Sequence, residues 1–202
     1  MKITFARHGE STANTLHIFS NQQADHPLTE KGKGQARQLA QLFEGEHFTR
    51  ILTSPIPRAI ETAEIVCHHL QRSFEISDAL REFNAGILEG KSDENSWAEF
   101  NRLWEAWFTA GQLEVRIEGG ENLIEIRSRL RNFIEDQYGR SSASDHVLCF
   151  THGGVLYAGL SGMLPGIDFG FIRAHLLENT EQVIIERLGD GWTCRQWGKE
   201  VF

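Results

Sequence analysis

Cysteine is scarce: Cys67, Cys149 and Cys194 are the only three in 202 residues, far apart and with no CxxC pair. An odd, scattered set builds no disulfide framework, so these read as buried reduced thiols of a cytoplasmic protein. No apolar run approaches the length that crosses a bilayer, and Met1-Lys2 leads straight into a strand without the apolar core of a signal peptide. Positive charge is in deficit, with 20 Lys and Arg against 28 Asp and Glu and a net charge of −8. Such a surface gives nucleic acid and anionic membranes no general attraction. Any anion site must be a local concentration of cations. The histidines show no metal-binding spacing such as HxxxH on a helix, so neither a metal nor another cofactor is expected. Repeats are absent, and the mildest linker is Ser141-Ser142-Ala143-Ser144.

What is there alternates strand with helix. Ile3-Thr4-Phe5-Ala6 is a short apolar strand, and it runs into Arg7-His8-Gly9-Glu10-Ser11 and a polar run that can open a helix. Asn14 to Asp25 reads as an irregular loop. Thr29 is a candidate N-cap for a helix with Ala36, Leu39, Ala40 and Phe43 on one face, and Gly45 is its stop. Arg50-Ile51-Leu52-Thr53 is a second strand. Ser54 is expected to cap the next helix, with Pro55 and Pro57 in its first turn and Arg58 just inside it. A helix N-terminus already favours anions, and an arginine there adds to the attraction.

Phe74-Glu75-Ile76 is a weak third strand. Trp97, Phe100, Leu103, Trp104, Trp107 and Phe108 lie at helical spacing, either as a core-facing stripe or as the wall of a substrate pocket. Both readings can hold for different residues. Gly119-Gly120-Glu121-Asn122 opens a further helix. His146-Val147-Leu148-Cys149-Phe150 is the most strand-like stretch and reads as central in a parallel sheet. It ends in Thr151-His152-Gly153-Gly154, which repeats the opening logic of strand, histidine, glycine and helix start. Gly189-Asp190-Gly191 between two strands marks a hairpin.

The expectation is therefore an α/β fold: three layers, a mostly parallel central sheet with helices on both faces, and a C-terminal hairpin. It forms a single domain over 1–202, with a small helical cap inserted at about 83–120. Parallel strands put their C-terminal ends on one edge, so Arg7-His8, Arg58 and His152 converge there with glycine amides. Arginine forks and helix-start amides match phosphate oxygens.

Five stretches in chain order are similar to the histidine phosphatase superfamily, in its phosphoglycerate mutase-like branch. They are Arg7-His8-Gly9-Glu10-Ser11 with Asn14, Pro27 to Gly32, Thr53-Ser54-Pro55 with Arg58-Ala59 and Thr62-Ala63, Leu80-Arg81-Glu82 with Gly86 and Glu89-Gly90, and Thr151-His152-Gly153-Gly154. The resemblance implies that His8 is the nucleophile that becomes phosphohistidine, with a carbonyl partner at its other ring nitrogen. It implies that Arg7, Arg58 and His152 clamp the phosphoryl oxygens and that Asn14 helps to bind them. Glu82 matches the carboxyl that protonates the leaving oxygen and then deprotonates water, although Glu75, Glu89 and Glu94 lie nearby. Gly153 at the last helix start, and Ser20 and Asn21 in the 17–26 loop, are the remaining substrate-binding candidates.

Glu10 and Glu121 are either supports of the site or helix caps. Ser11 and Thr29 read as caps, and His68-His69 as helix surface. His17, His26, His47, His146 and His175 carry no motif support. The loop Phe19 to Ala24 lacks the glycine often found before Asp25 in this family, and Glu61 stands where glutamine is frequent. The mutases carry an adjacent arginine pair in the inserted segment, whereas 91–120 here offers only Lys91, Arg102 and Arg116, widely spaced among aromatics. That favours a phosphatase acting on a small phosphorylated metabolite, with a mutase and a non-catalytic phospho-ligand-binding module as the alternatives. The edge of the terminal hairpin offers a surface through which a homodimer would pair.

Overall fold

The fold is built outward from the strand His146–Thr151, whose six residues are all buried. A computed structural model describes residues 1–21 and 26–202. Gln22, Gln23, Ala24 and Asp25, and with them the expectation for the loop before Asp25, lie outside the described residues. The strands are β1 (Lys2–Arg7), β2 (Arg50–Thr53), β3 (Glu75–Ile76), β4 (His146–Thr151), β5 (Gln182–Leu188), β6 (Gly191–Trp197) and β7 (Glu200–Val201), in the order β3-β2-β4-β1-β5-β6-β7. β3, β2, β4 and β1 are mutually parallel; β5 is antiparallel to β1 and β6 to β5. Five of the seven strands thus point one way, which makes the central sheet mostly parallel.

A strand buried on both faces needs apolar side chains in both directions. In β4, Val147 and Cys149 join Ile3, Phe5, Leu130, Ile134, Leu156 and Leu160 on one face. Leu148 and Phe150 join Leu39, Ala40, Ala63 and Val66 on the other. Those faces carry α5 (Leu123–Gly139) and α6 (Gly153–Leu160) on one side, and α2 (Glu30–Leu42) and α3 (Pro57–Leu70) on the other. The three cysteines are buried and unpaired, and no helix among the described residues is long and apolar enough to cross a membrane.

The 83–120 stretch contains one α-helix, α4 (Glu94–Phe108). Its stripe divides. Leu103 and Trp107 are buried in a third apolar cluster with Phe19, Phe83, Ile117 and Val155, while Trp97, Phe100 and Trp104 face a cavity. Leu103 and Trp107 are thus core, and Trp97, Phe100 and Trp104 are cavity wall.

Three local expectations are corrected. The stretch after Ser11 contains a short helix, α1 (Thr12–Leu16), where a loop was expected from Asn14 onward; at five residues and without an apolar stripe it leaves no periodic signal. Ser54 does not cap α3: Ile56 is at the cap position, and Ser54 Oγ accepts from the Ile56 amide at 3.2 Å while also meeting His152. The hairpin's outer strand β6 is not a free edge, because β7 pairs with it. Thr29 does cap α2, accepting from the Gly32 amide at 3.0 Å. A seventh helix, α7 (Phe169–Ala174), carries no periodicity in the sequence.

Candidate active site

Register brings the strand ends together. Arg7 lies opposite Thr151, and Thr53 lies opposite Phe150. The next residues along, His8, Ser54 and His152, therefore leave the sheet side by side. Gly9 follows at once, and its backbone packs so closely on Gly32 that a Cβ on Gly9 would stand 2.6 Å from the Gly32 carbonyl oxygen. Only glycine permits this contact, which seats the His8 loop against the start of α2.

His8 is 3% exposed. Its Nδ1 is 2.7 Å from the Gly9 carbonyl, and Arg58 Nε donates to its Nε2 at 2.9 Å. Since arginine only donates, Nε2 is the acceptor and Nδ1 carries the proton toward Gly9. This is the carbonyl partner that the sequence led us to expect. Burial, with the nearby charges of Arg58 and Arg7, holds the His8 pKa well below its ordinary value, so the ring is neutral.

Arg58 also reaches His152, with Nη2 3.1 Å from Nδ1, and Ser20 Oγ at 3.4 Å. The same logic gives His152 a proton on Nε2, which donates to Ser54 Oγ at 2.7 Å. His152 too is held neutral, first by burial and then by Arg58. Burial lowers Arg58 itself to about 10, still charged at neutral pH. Arg7 Nη1 donates to the Leu177 carbonyl at 2.5 Å, while its buried Nε has no hydrogen-bond partner among the described residues. The half-buried Arg7, with its orphaned Nε, stands beside two neutral histidines and the buried Arg58, so the site holds donors that a phosphoryl group can satisfy.

Of the four candidate carboxyls, Glu82 lines the cavity; Glu75, Glu89 and Glu94 do not. Glu75 pairs with Arg50 across the sheet at 3.6 Å, and Glu89 accepts from the Asn21 amide at 2.8 Å. Glu82 accepts from the amides of Phe83 at 3.0 Å and Gly154 at 2.9 Å. Burial nonetheless raises its pKa, outweighing those two donors and the attraction of Arg58. Gly154 is tied to this contact, since a Cβ there would sit 2.8 Å from Glu82 Oε1 and 2.7 Å from Phe83. The segment around Glu82 is clamped from behind. Glu121 takes the Asn84 amide at 2.8 Å and pairs with Arg129 and Arg81 at 3.0 Å each, and Arg129 donates to the carbonyls of Ala79 and Arg81. Glu121 is therefore a support rather than a cap. Glu10 ties Thr29 and Lys31 to the loop and stays out of the cavity.

The cavity over these groups measures about 680 Å³ and is lined by His8, Arg7, Arg58, Glu82, Asn14, Ser20, Asn21 and Gly153 together with Phe19, Trp97, Phe100, Trp104, Tyr157 and Phe169. Every candidate except His152 lines it, and His152 stands directly behind Arg58. Asn14 Oδ1 is occupied by Ser11 N at 3.0 Å and Asn179 Nδ2 at 3.3 Å, so its Nδ2 is what it can offer a ligand. His26, without motif support, braces Ser20 Oγ at 2.9 Å. Reading the sequence missed Ser54 as the partner of His152, Tyr157 and Leu177 on the far wall, and Arg173 at the rim. Ser54 was discoverable, since it follows β2 as His8 follows β1; Tyr157 lies in the helix expected after His152 but nothing local marks its face, and Leu177 and Arg173 come from stretches without a pattern. Among the described residues, no group of three or more His, Cys, Asp or Glu is placed to hold a metal ion.

A mostly parallel sheet whose edge presents histidines and arginines around a buried carboxyl defines a phosphoryl-handling α/β protein. The model of the histidine phosphatase superfamily (branch 1) matches residues 3–200, and the chain belongs to that family. A probable phosphoglycerate mutase, GpmB, of Shigella boydii serotype 18 is 32% identical over 201 residues, covering 100% of this chain and 92% of that protein. Among solved structures, Bacillus stearothermophilus YhfR superposes with a TM-score of 0.84 at 27% identity, covering 98% of this chain and 97% of that one. The alpha-ribazole phosphatase of Shigella flexneri superposes with a TM-score of 0.77 at 25% identity, covering 98% and 96%.

Proposed function

We propose that the chain hydrolyses phosphomonoesters of small metabolites through a phosphohistidine at His8, without a metal. The observation that carries this is the pairing in one cavity of a neutral His8, whose Nδ1 proton is fixed on Gly9, with a buried carboxyl of raised pKa. As substrate enters, its phosphoryl oxygens take over the donors that Arg58 now directs at His8 and His152, and the orphaned Nε of Arg7. His8 Nε2 attacks phosphorus and the ester P–O bond breaks. Glu82 gives its proton to the leaving oxygen. The Glu82 carboxylate then takes a proton from water, whose oxygen bonds to phosphorus as the P–Nε2 bond breaks. Phosphate leaves, and Glu82 is protonated again. Arg7 and Arg58 face the charge on the equatorial oxygens throughout.

The relatives' names divide between mutase and phosphatase. Hydrolysis is favoured because Lys91, Arg102 and Arg116 are absent from the cavity lining, and Arg116 is paired with Glu125 at 3.0 Å. The inserted segment thus brings no cation for a substrate carboxylate. The test is phosphate release over a panel of phosphomonoesters, with and without EDTA and with His8→Ala as the blank. Release that survives EDTA, with an acid-labile phosphoenzyme absent from His8→Ala, is expected. Interconversion of 3- and 2-phosphoglycerate faster than phosphate release would make the protein a mutase. Ligand binding without turnover of any ester would make it a binding module.

A further inference from the structure

Resting on that hydrolytic reading, we infer that the substrate is the phosphate ester of an alcohol with a flat, aromatic body, in preference to a phosphorylated hydroxy acid or polyol. The floor needs only a small part of the cavity's roughly 680 Å³ for a phosphoryl group. The remainder is walled by rings in an unbroken chain of contacts. Phe19 meets Trp97 with centroids 4.2 Å apart, Trp97 meets Phe100 at 5.6 Å, Phe100 meets Trp104 at 5.8 Å, and Trp104 meets both Phe169 and Tyr157 at 6.3 Å. Ile18, Ile172, Leu176 and Leu177 fill the gaps in this lining.

Ring faces and aliphatic side chains offer the hydroxyls of a polyol nothing to bond. The polar side chains that share the lining, Asn14, Ser20, Asn21 and the exposed Asn101, are too few to serve all of them, so a polyol would bury hydroxyls without partners, which is costly. A second anion fares no better. Beyond Arg7 and Arg58, the cation among the described lining residues is Arg173, exposed at the mouth and set over the face of Phe169 at 5.7 Å. The exposed Glu105 shares that mouth and repels a carboxylate. An aromatic ring instead finds offset and edge-on partners on several sides.

The test compares 2-phenylethyl phosphate with ethyl phosphate, whose leaving alkanols are chemically alike, and with 3-phosphoglycerate. A kcat/KM at least about tenfold higher for the phenylethyl ester, gained in KM, is expected from stacking and burial of one ring. Trp104→Leu, which keeps an apolar side chain but removes the ring, and Phe169→Ala are each expected to bring that ratio toward one, folding being checked by circular dichroism. The non-turnover variant His8→Ala is expected to bind 2-phenylethyl phosphate more tightly than 3-phosphoglycerate in calorimetry. Phosphate release from all three esters without preference, or with 3-phosphoglycerate preferred, overturns the inference while leaving hydrolysis standing. Preferential binding to His8→Ala with no hydrolysis by the wild type keeps the inference and overturns the hydrolytic reading. A preference unmoved by either wall variant also overturns the inference.

Discussion

At the sheet edge, His8 and His152 are each fixed by two hydrogen bonds and Arg58 by three. On the face of α4, the side chains that meet the same cavity are held by ring contacts, with one indole bond, Trp97 to the His17 carbonyl at 3.1 Å, among them. Hydrogen bonds are directional, so the floor has one arrangement and can be preorganised for charge that develops in a transition state. Ring contacts are less strictly directional than hydrogen bonds and tolerate several offset and edge-on arrangements, so the wall can change its shape at modest cost. On the proposed function, chemistry belongs to the floor and selection to the wall. Substitutions in the floor should act on kcat, and substitutions in the wall on KM.

The largest effect belongs to His8→Ala. Removing the proposed nucleophile is expected to lower kcat by about 10⁴-fold or more and to abolish phosphoenzyme, measured by acid-quench trapping. Residual turnover close to wild type would move the nucleophile elsewhere and break the comparison at its root. Arg58→Ala comes next. It removes the donors to both histidines at once, and a loss of about 10²–10³-fold in kcat is expected, in line with deleting one such donor. A change confined to KM would mean that Arg58 binds ground state and transition state alike.

Glu121→Gln sharpens the boundary between floor and support. Its carboxylate never meets the cavity, yet it holds the Asn84 amide and both Arg81 and Arg129 on either side of Glu82. Loss of charge should slacken that clamp and move the acid, and roughly a tenfold fall in kcat with little change in KM is expected, since small misplacements of a reacting group are expensive. The basic limb of the kcat/KM profile should shift with it, because burial of Glu82 is what raises its pKa. A variant that unfolds more easily but keeps wild-type kcat and pH profile would reduce Glu121 to a structural role.

The two regions were unequally legible in the sequence. The floor could be read because β1 and β4 are short apolar runs that end abruptly in histidine and glycine, and parallel register then places those endings together. Ser54 shows the limit of that logic. Its place after β2 was plain, but serine before proline also looks like a cap, and only the side chain's direction toward His152 decides. Glu82 stood out from Glu75, Glu89 and Glu94 by motif, whereas depth in the fold separates them physically. The wall was legible only on α4. Its far side comes from Tyr157 on α6, Phe169 on α7 and Leu177 beyond it, and α7, at six residues, is too short for periodicity to show. These are long-range contacts, which no local pattern encodes.

The smallest effect tests the floor through stability rather than rate. His8 and His152 are held neutral by burial, each well below its ordinary value. In the unfolded chain a histidine takes up a proton as pH falls through about 6.5, and in the folded chain these two do so only far lower. Their contribution to stability is therefore full above about 6.5 and is lost as pH falls below it, by about 1 kcal/mol for each histidine between pH 7.5 and 5.5. Glu82 runs the other way. Its raised value makes its contribution full below the ordinary carboxyl range and lost as pH rises through the folded value, so on acidification it offsets part of the histidines' loss equally in both proteins, and the difference between wild type and His152→Asn isolates the histidine. Urea unfolding at pH 7.5 and 5.5 should show the wild type losing stability on acidification and His152→Asn losing less, by one histidine's share. Equal losses in the two proteins would mean that His152 is charged in the folded state. It could then no longer accept from Arg58, and the hydrogen-bonded floor would differ from the wall far less than its geometry implies.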